Sequence, residues 1–267
     1  SALVAGREGK VATSAGLLLA ANTVGAIVGT FVVPFFVIPA IGSPDAIGLI
    51  ALVNVGLGIV LAYKAPIRSA LGRLTTYGLG TATAVVLVIA LATSGILVDP
   101  SVARIEAARG ELFASREDEI ASVQAGMIAG YPELWVTGTS MTLLTVDAKL
   151  MPILPLMLRP ESTSALTVAF GMGSAFRSGV IAGLRTDAVE LVPSVPTMFG
   201  YYYPDAAQIL ASPNGRVIVT DGRNYMALTE SRYDIIVTDP PPPIESSGVS
   251  VISSLEYYRA GHDRLNP

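Results

Sequence analysis

The pattern of apolar and charged positions divides the chain into two unlike parts. No charged side chain occurs between Lys10 and Asp45, and the stretch 11–41 is almost entirely apolar. Two more uncharged apolar stretches follow, at 46–63 and 76–98. A helix of about 17–25 apolar residues crosses a bilayer, so the pattern predicts about three transmembrane helices within residues 1–98. The alternative for each stretch is a buried helix of a water-soluble protein.

Composition and charge narrow the class of protein. Hydrophobic residues make up 51% of the chain and charged residues 14%, whereas charged residues are about a quarter of an ordinary globular domain. The net charge is −4 and no run of Lys or Arg is present, so a nucleic-acid partner is not expected. The chain has no Cys and one His, His262, so we expect no metal site.

Two features bear on how the membrane part is arranged. Gly25 and Gly29 form a GxxxG pair, which predicts close approach of another helix. Basic residues before the first stretch and between the second and third would place those segments in the cytoplasm. Three spans would then put the remainder of the chain on the outer side.

The region after the membrane part is predicted in three pieces. Residues 99–119 mix charged residues with Ala and Ser, which predicts a linking helix followed by a polar turn. Residues 120–160 are predicted to form a small β-rich part, with strands at 120–128 and 134–138 around a turn at 130–132 and a helix from 147 to 158. Residues 161–267 are predicted to form an α/β domain.

A glycine-rich turn opens the α/β domain. The apolar stretch 166–170 predicts a buried parallel strand, and Gly171 and Gly173 follow it directly, before a predicted helix at 174–183. In this arrangement main-chain N–H groups and a helix N-terminus face a ligand. The alternative is an ordinary glycine turn.

Acidic residues follow the next three predicted strands. Glu190 ends the strand 188–191, about 20 residues after the glycines, where a carboxylate accepts hydrogen bonds from ribose. Asp221 and Gly222 follow the strand 217–220, and Asp221 either accepts from adenine or caps the next helix. Asp239 and four prolines follow the strand 235–238, and the prolines take the chain out of the sheet. Ligands bind outside the carboxyl ends of such strands, so the three carboxylates could meet in one cleft.

With these pieces, the chain resembles the spermidine synthase (polyamine aminopropyltransferase) family in its membrane-fused form. The resemblance rests on AANTVGAIVG in the apolar part and on LTVAFGMG, AVELVP, VTDGRNYM, RYDIIVTDPPPP and SLEYYRAGHDRLNP in the rest. It implies transmembrane α-helices followed by an α/β Rossmann-like (class I methyltransferase-like) domain. Because the family's sheet continues further, we expect the domain to be truncated at its C-terminus.

The resemblance also implies roles for individual residues. Five residues would contact the nucleoside: Gly171, Gly173, Glu190, Asp221 and Gly222. Asp239 would be the catalytic acid. The family transfers the aminopropyl group of decarboxylated S-adenosylmethionine to putrescine, without a metal.

Several expectations follow about partners and place. They are a small-molecule amine, membrane lipid, a possible homo-oligomer and a multi-pass position in a bacterial plasma membrane. The expected ligand is a cytoplasmic metabolite, which favours a cytoplasmic α/β domain. This conflicts with the outer position that an odd number of spans predicts. Ser174 stands where the family's glycine loop carries an acid, so two alternatives stay open: another S-adenosylmethionine-dependent methyltransferase, or a non-catalytic membrane protein that binds a nucleoside or polyamine.

Overall fold

The protein consists of two compact units. The computed structural model describes residues 11–64, 70–93, 98–137, 139–238 and 252–267. The chain separates into Ser1–Asp99 and Pro100–Pro267, and each unit has its own secondary structure.

The first unit is helical and apolar on its surface. Its elements are α1 (Val11–Val32), a π-helical segment (Val33–Val37), α2 (Ile38–Lys64) and α3 (Ala70–Thr93). Within the described residues one helical run, Ala15–Leu61, is long and apolar enough to cross a membrane. Its large side chains face outward, as with Leu17 at 66% exposure. The described residues therefore contain one run that is long and apolar enough, where the sequence pattern predicts about three spans.

A kink at Gly42 divides this run into two helical segments. Gly42 has φ 81° and ψ 159°, a backbone conformation that is open essentially to glycine alone. The kink falls between the apolar stretches 11–41 and 46–63. Pro34 lies in the π-helical segment, whose wider hydrogen-bonding pattern accommodates a local irregularity in a helix.

The GxxxG prediction is not met in the described residues. A Cβ atom added at Gly25 or Gly29 would meet no atom within 4 Å. The helix contact that the unit does show is between α2 and α3.

The second unit begins with a helix and an antiparallel sheet. The helix α4 (Pro100–Ala107) precedes four strands in sequential order: β1 (Glu111–Glu117), β2 (Ser122–Ile128), β3 (Tyr131–Val136) and β4 (Thr139–Leu143). For residues 99–119 the predicted helix is present as α4, but the predicted polar turn is wrong, because the second half of this segment forms β1. Because β1 is an edge strand whose side chains are mostly solvent-exposed, it lacks the apolar alternation that marks a half-buried strand.

The predicted hairpin exists with a shifted turn. Ala129 and Gly130 have φ 51° and 83°, as a two-residue hairpin turn requires. Tyr131 and Pro132 therefore already belong to β3, where Pro132 lies opposite Met127.

A parallel sheet forms the rest of the unit. Its strands are β5 (Ser164–Val168), β6 (Arg185–Glu190), β7 (Gly215–Val219) and β8 (Ile235–Thr238), in the order β7-β6-β5-β8. All three pairings are parallel, so every strand ends at the same edge. The helices are α5 (Val146–Leu150), α6 (Ile153–Leu158), α7 (Ser174–Ile181), α8 (Ala206–Leu210), α9 (Gly222–Leu228) and α10 (Leu255–Asp263), with a 3-10 helix at Pro196–Tyr201. The predicted parallel strands and the α/β class are confirmed.

The starts of β5 and β8 are joined by the carboxylate of Asp234. Its Oδ2 accepts hydrogen bonds from the backbone N–H groups of Thr163 at 2.7 Å and Ser164 at 2.9 Å. Its Oδ1 accepts from the side-chain amide of Asn266 at 2.7 Å. Burial alone would raise the pKa of Asp234, but these hydrogen bonds outweigh it and hold the pKa well below its usual range. Folding therefore favours the ionised form.

Replacing this charge should weaken the fold in a pH-dependent way. Asp234→Asn is expected to lower the free energy of unfolding at pH 7 by about 1 kcal/mol, because the N–H groups of Thr163 and Ser164 lose a charged acceptor. A lowered pKa contributes stability above the unfolded value of about 3.9 that is lost as pH falls through the folded value. The difference from the unaltered protein should therefore narrow below about pH 4. Urea unfolding followed by the fluorescence of the single tryptophan, Trp135, measures it.

Glu106→Gln serves as the matched control, because Glu106 is exposed and should leave stability unchanged. A difference between Asp234→Asn and the unaltered protein that persists undiminished in acid contradicts the assignment.

Candidate functional site

The site lies at the carboxyl edge of the parallel sheet. Backbone hydrogen bonds continue the pairing past the strand ends, from Ala169 N–H to Val189 O at 3.0 Å and from Thr220 N–H to Glu190 O at 2.8 Å. The residues that follow β5, β6 and β7 are therefore neighbours. The structure brings Gly171, Glu190 and Asp221 to this one edge.

The glycine turn after β5 has a left-handed backbone. Gly171 and Gly173 have φ 53° and 77°, which favours glycine at both positions. A Cβ at Gly173 would come within 2.5 Å of the Phe199 ring. Gly173 is thus needed for its backbone conformation and for packing against the Phe199 ring. A role of Gly173 in contacting a ligand stays a prediction. The N–H groups in the first turn of α7 have no partner inside the helix and face outward from its N-terminus.

Glu190 has a buried carboxylate that is held by backbone N–H groups. The residue is 8% exposed. Its Oε2 accepts from Phe170 N–H at 2.9 Å and its Oε1 from Val192 N–H at 3.0 Å. Burial raises the pKa of Glu190, and the amide hydrogen bonds only partly offset this. A carboxylate held in this way has its oxygens at fixed positions on the sheet edge, where they could accept hydrogen bonds from neighbouring ribose hydroxyls.

Asp221 caps the helix that follows it. Its Oδ1 accepts from Asn224 N–H at 2.8 Å, so the capping alternative is what the structure shows. Gly222 is required for packing, because a Cβ there would come within 2.5 Å of Val168 Cγ1. Recognition of adenine by Asp221 and Gly222 stays a prediction.

The predicted catalytic residue, Asp239, lies outside the described residues, as do the four prolines after it. The described end of β8 is held by a hydrogen bond of 2.9 Å between Thr238 Oγ1 and Tyr257 Oη. Burial raises the pKa of Tyr257, and the charge of Asp221 adds a smaller contribution in the same direction.

Several residues that hold the glycine turn were not predicted. Ser174 Oγ and Tyr203 Oη share a hydrogen bond of 2.8 Å. Arg177 binds both oxygens of Asp205, with Nε at 2.9 Å from Oδ1 and Nη2 at 2.8 Å from Oδ2. The Arg177 guanidinium also lies 4.8 Å from the centre of the Tyr203 ring. These partners are 28 and 29 positions apart in the chain, so no local pattern could have revealed them.

Asp118 fixes a loop beside Glu190. Its Oδ2 accepts from Ser194 N–H at 2.8 Å, and its Oδ1 accepts from Ile120 and Ala121 N–H at 2.9 Å each. Burial alone would raise the pKa of Asp118, but the hydrogen bonds from Ser194, Ala121 and Ile120 lower it. The bond between Asp118 and the N–H group two residues later is a local turn pattern that a sequence can reveal. The bond to Ser194 joins distant positions and has no local pattern.

In the parts of the chain that the structure describes, no three His, Asp or Glu side chains are grouped to hold a metal ion. A reaction without a metal stays a prediction.

Comparisons with known proteins agree with this geometry. No family model matches the chain. A protein of Thermococcus kodakarensis named polyamine aminopropyltransferase is 30% identical over 125 residues, covering 42% of this chain and 41% of the relative. Polyamine aminopropyltransferase 1 of Streptomyces coelicolor is 25% identical over 259 residues, covering 90% of this chain and 47% of the relative. The chain therefore spans less than half the length of these relatives.

Solved structures show a similar fold. A spermidine synthase in complex with the transition-state analogue AdoDATO superposes with a TM-score of 0.51 at 16% identity, covering 58% of this chain and 55% of that one. The spermidine synthase from Thermotoga maritima gives a TM-score of 0.50 at 17% identity, covering 58% and 54%. The resemblance inferred from the motifs is confirmed at this level: the sequence relatives are named aminopropyltransferases, and the α/β fold is that of spermidine synthases.

Glu190→Gln should impair nucleoside binding. The new amide presents an NH₂ group to Phe170 or Val192 N–H, and the ribose hydroxyls lose a charged acceptor. Hydrogen bonds to charged groups contribute about 1.5–3 kcal/mol, so the affinity for methylthioadenosine should fall about tenfold or more in calorimetry. Because only the ionised carboxylate accepts at both oxygens, affinity in the unaltered protein should also rise with pH through the raised pKa of Glu190.

The exposed strand residue Glu111 supplies the control, Glu111→Gln, which should bind like the unaltered protein. Equal affinity and an identical pH profile in Glu190→Gln would remove Glu190 from the site.

Proposed function

We propose that this chain is part of a membrane-attached aminopropyltransferase. It transfers the aminopropyl group of decarboxylated S-adenosylmethionine to putrescine or a related amine. The observation that carries the proposal is the buried Glu190 carboxylate, held by two backbone N–H groups beside the glycine turn. The names of the sequence relatives supply the reaction.

The proposed chemistry needs little beyond positioning. A neutral amine attacks the aminopropyl carbon, a C–N bond forms, the C–S bond breaks, and methylthioadenosine leaves with the sulfur electron pair. The attacking nitrogen then loses a proton, which the Asp239 carboxylate would accept. Because a sulfonium is already a good leaving group, alignment of the two substrates should supply most of the acceleration. Asp239 takes this role from the family resemblance.

Membrane attachment is the second part of the proposal. The run Ala15–Leu61 is apolar and none of its most apolar window is buried. The alignment with the Streptomyces coelicolor relative covers 90% of this chain. The tenth that it leaves out is shorter than the apolar part, so the alignment includes at least some of the apolar residues. We further propose a multi-pass arrangement with the α/β unit in the cytoplasm, where its small-molecule substrates are made, and leave a homo-oligomer open.

The reaction is tested by product release. With decarboxylated S-adenosylmethionine and putrescine, the protein should release methylthioadenosine, detected by chromatography. Asp239→Asn is expected to reduce kcat by about 10²–10⁴-fold, the usual contribution of a general base, and to leave methylthioadenosine affinity unchanged. Asp263→Asn, an exposed change on α10, should keep full activity. Absence of product with every diamine tried contradicts the proposal.

One observation favours a second candidate, a methyltransferase that uses S-adenosylmethionine itself. Ser174, where the family's glycine loop carries an acid, is uncharged and hydrogen-bonded to Tyr203. Fewer carboxylates then remain to offset the lost hydration of a dicationic amine. Tighter calorimetric binding of S-adenosylmethionine than of its decarboxylated form, with methyl transfer, would favour this candidate. Binding without turnover, unchanged in Asp239→Asn, would favour a non-catalytic protein.

Membrane attachment is tested by fractionation. The unaltered protein should stay in the membrane pellet after an alkaline carbonate wash. A charge at the centre of a membrane helix costs about 2.5–3.5 kcal/mol, so Leu19→Arg combined with Ile27→Arg should move protein to the supernatant. Leu210→Arg, an exposed change on α8, is the control. Release of the unaltered protein by carbonate contradicts attachment through the apolar helices.

A further inference from the structure

A cleft lies at the edge of the parallel sheet opposite the candidate site. Its volume is about 350 Å³, within the range of roughly 300–1,000 Å³ typical of small-molecule sites. Its lining comes from the amino ends of the strands, with Arg185 at the start of β6, Gly215 at the start of β7 and Tyr233 just before β8. At about 3.3 Å per residue, these five- and six-residue strands place it roughly 16 Å from the glycine turn.

The charge in this cleft is opposite to that of the whole chain. Three arginines line it, Arg185, Arg216 and Arg232, against one carboxylate, Asp187. The lining therefore carries a net charge of +2, whereas the chain carries −4. Asn214 and Ser231 add polar side chains. All three arginines are exposed, so an ion from solution can reach them.

Two of the three arginines are held in place before any ligand arrives. Arg216 binds both oxygens of Asp187, with Nε at 3.0 Å and Nη2 at 2.7 Å. Asp187 is in turn fixed by the Tyr233 hydroxyl, which donates to it at 2.6 Å. Arg232 donates to the backbone oxygen of Leu265 at 3.0 Å, a neutral acceptor that leaves its charge uncompensated. Side chains that are already ordered lose less conformational entropy on binding.

The chemistry of the lining indicates which ligand would fit. Guanidinium groups match the geometry of phosphate oxygens and bind them through paired hydrogen bonds. Among the described residues, the guanidinium group of Arg185 has no hydrogen-bond partner. All of its N–H groups are therefore available to a ligand. We propose that this basic cleft, defined by Arg185, Arg216 and Arg232, binds a small phosphate-bearing anion. The anion is either a dissolved phosphorylated compound or the headgroup of a phospholipid.

The test uses the whole chain in a neutral detergent and two probes, inorganic pyrophosphate and a short-chain phosphatidic acid below its micelle concentration. Calorimetry should show saturable binding of at least one probe that weakens with added salt. Arg185→Gln and Arg232→Gln should each weaken it about tenfold, the effect of one charge-assisted contact. Arg259→Gln, an exposed change on α10, should bind like the unaltered protein. Arg216 is left intact, because its loss would strand the buried Asp187.

Each outcome decides between readings of the cleft. Tighter pyrophosphate binding that depends on Arg185 and Arg232 identifies a dissolved anion, and tighter phosphatidic acid binding with the same dependence identifies a lipid headgroup. Binding of neither probe, or equal binding by all variants, overturns the proposal. Methylthioadenosine affinity should stay unchanged in all variants, so this result is independent of the proposed enzymatic activity.

Discussion

Carboxylates that accept hydrogen bonds from backbone N–H groups at strand ends hold the second unit together. Asp234 does this at the amino edge of the parallel sheet, and Glu190 does it at the carboxyl edge. Asp118 ties the antiparallel sheet to the loop after β6 in the same way. Backbone donors at such ends have no ladder partner, and leaving them buried and unpaired is costly. An ionised acceptor forms a stronger bond than a neutral one, which explains why acids occupy these positions.

The same carboxylates differ in what they have left for a ligand. Asp234 lies at hydrogen-bonding distance from five donors, and hydrogen bonds lower its pKa. Hydrogen bonds from backbone N–H groups also lower the pKa of Glu190, but burial outweighs them and raises it. The cost of ionising Glu190 is therefore only partly offset within the protein. Hydrogen bonds from a ribose would favour the ionised form further, which is a physical reason for the group to recognise a nucleoside.

The two edges of the parallel sheet have opposite electrostatic character. Glu190 and Asp221 lie at the carboxyl edge, while Arg185, Arg216 and Arg232 surround the cleft at the amino edge. The two sites share β6, since Asp187 and Glu190 belong to this one strand. The two positions lie toward opposite ends of the strand, so the proposed nucleoside and the proposed anion would not compete for the same space.

The sequence by itself determined the elements whose signal is local. The strands β5, β7 and β8 were predictable because each contains a short apolar run, and the glycine turn because GxG between a strand and a helix is a local pattern. Family motifs in the chain pointed to the aminopropyltransferase relatives. The break at Gly42 falls between two predicted apolar stretches, whereas the edge strand β1 was missed, since exposed residues carry little periodic signal.

Only the tertiary structure decided which groups meet across long separations. It assigned Gly173 to the Phe199 ring, paired Arg177 with Asp205 and paired Arg216 with Asp187. These contacts join positions about 26 to 29 residues apart, because a parallel sheet needs a crossover between each pair of strands. The composition of each segment does not predict these contacts. The basic cleft could therefore be found only once the four strands had assembled in the order β7-β6-β5-β8.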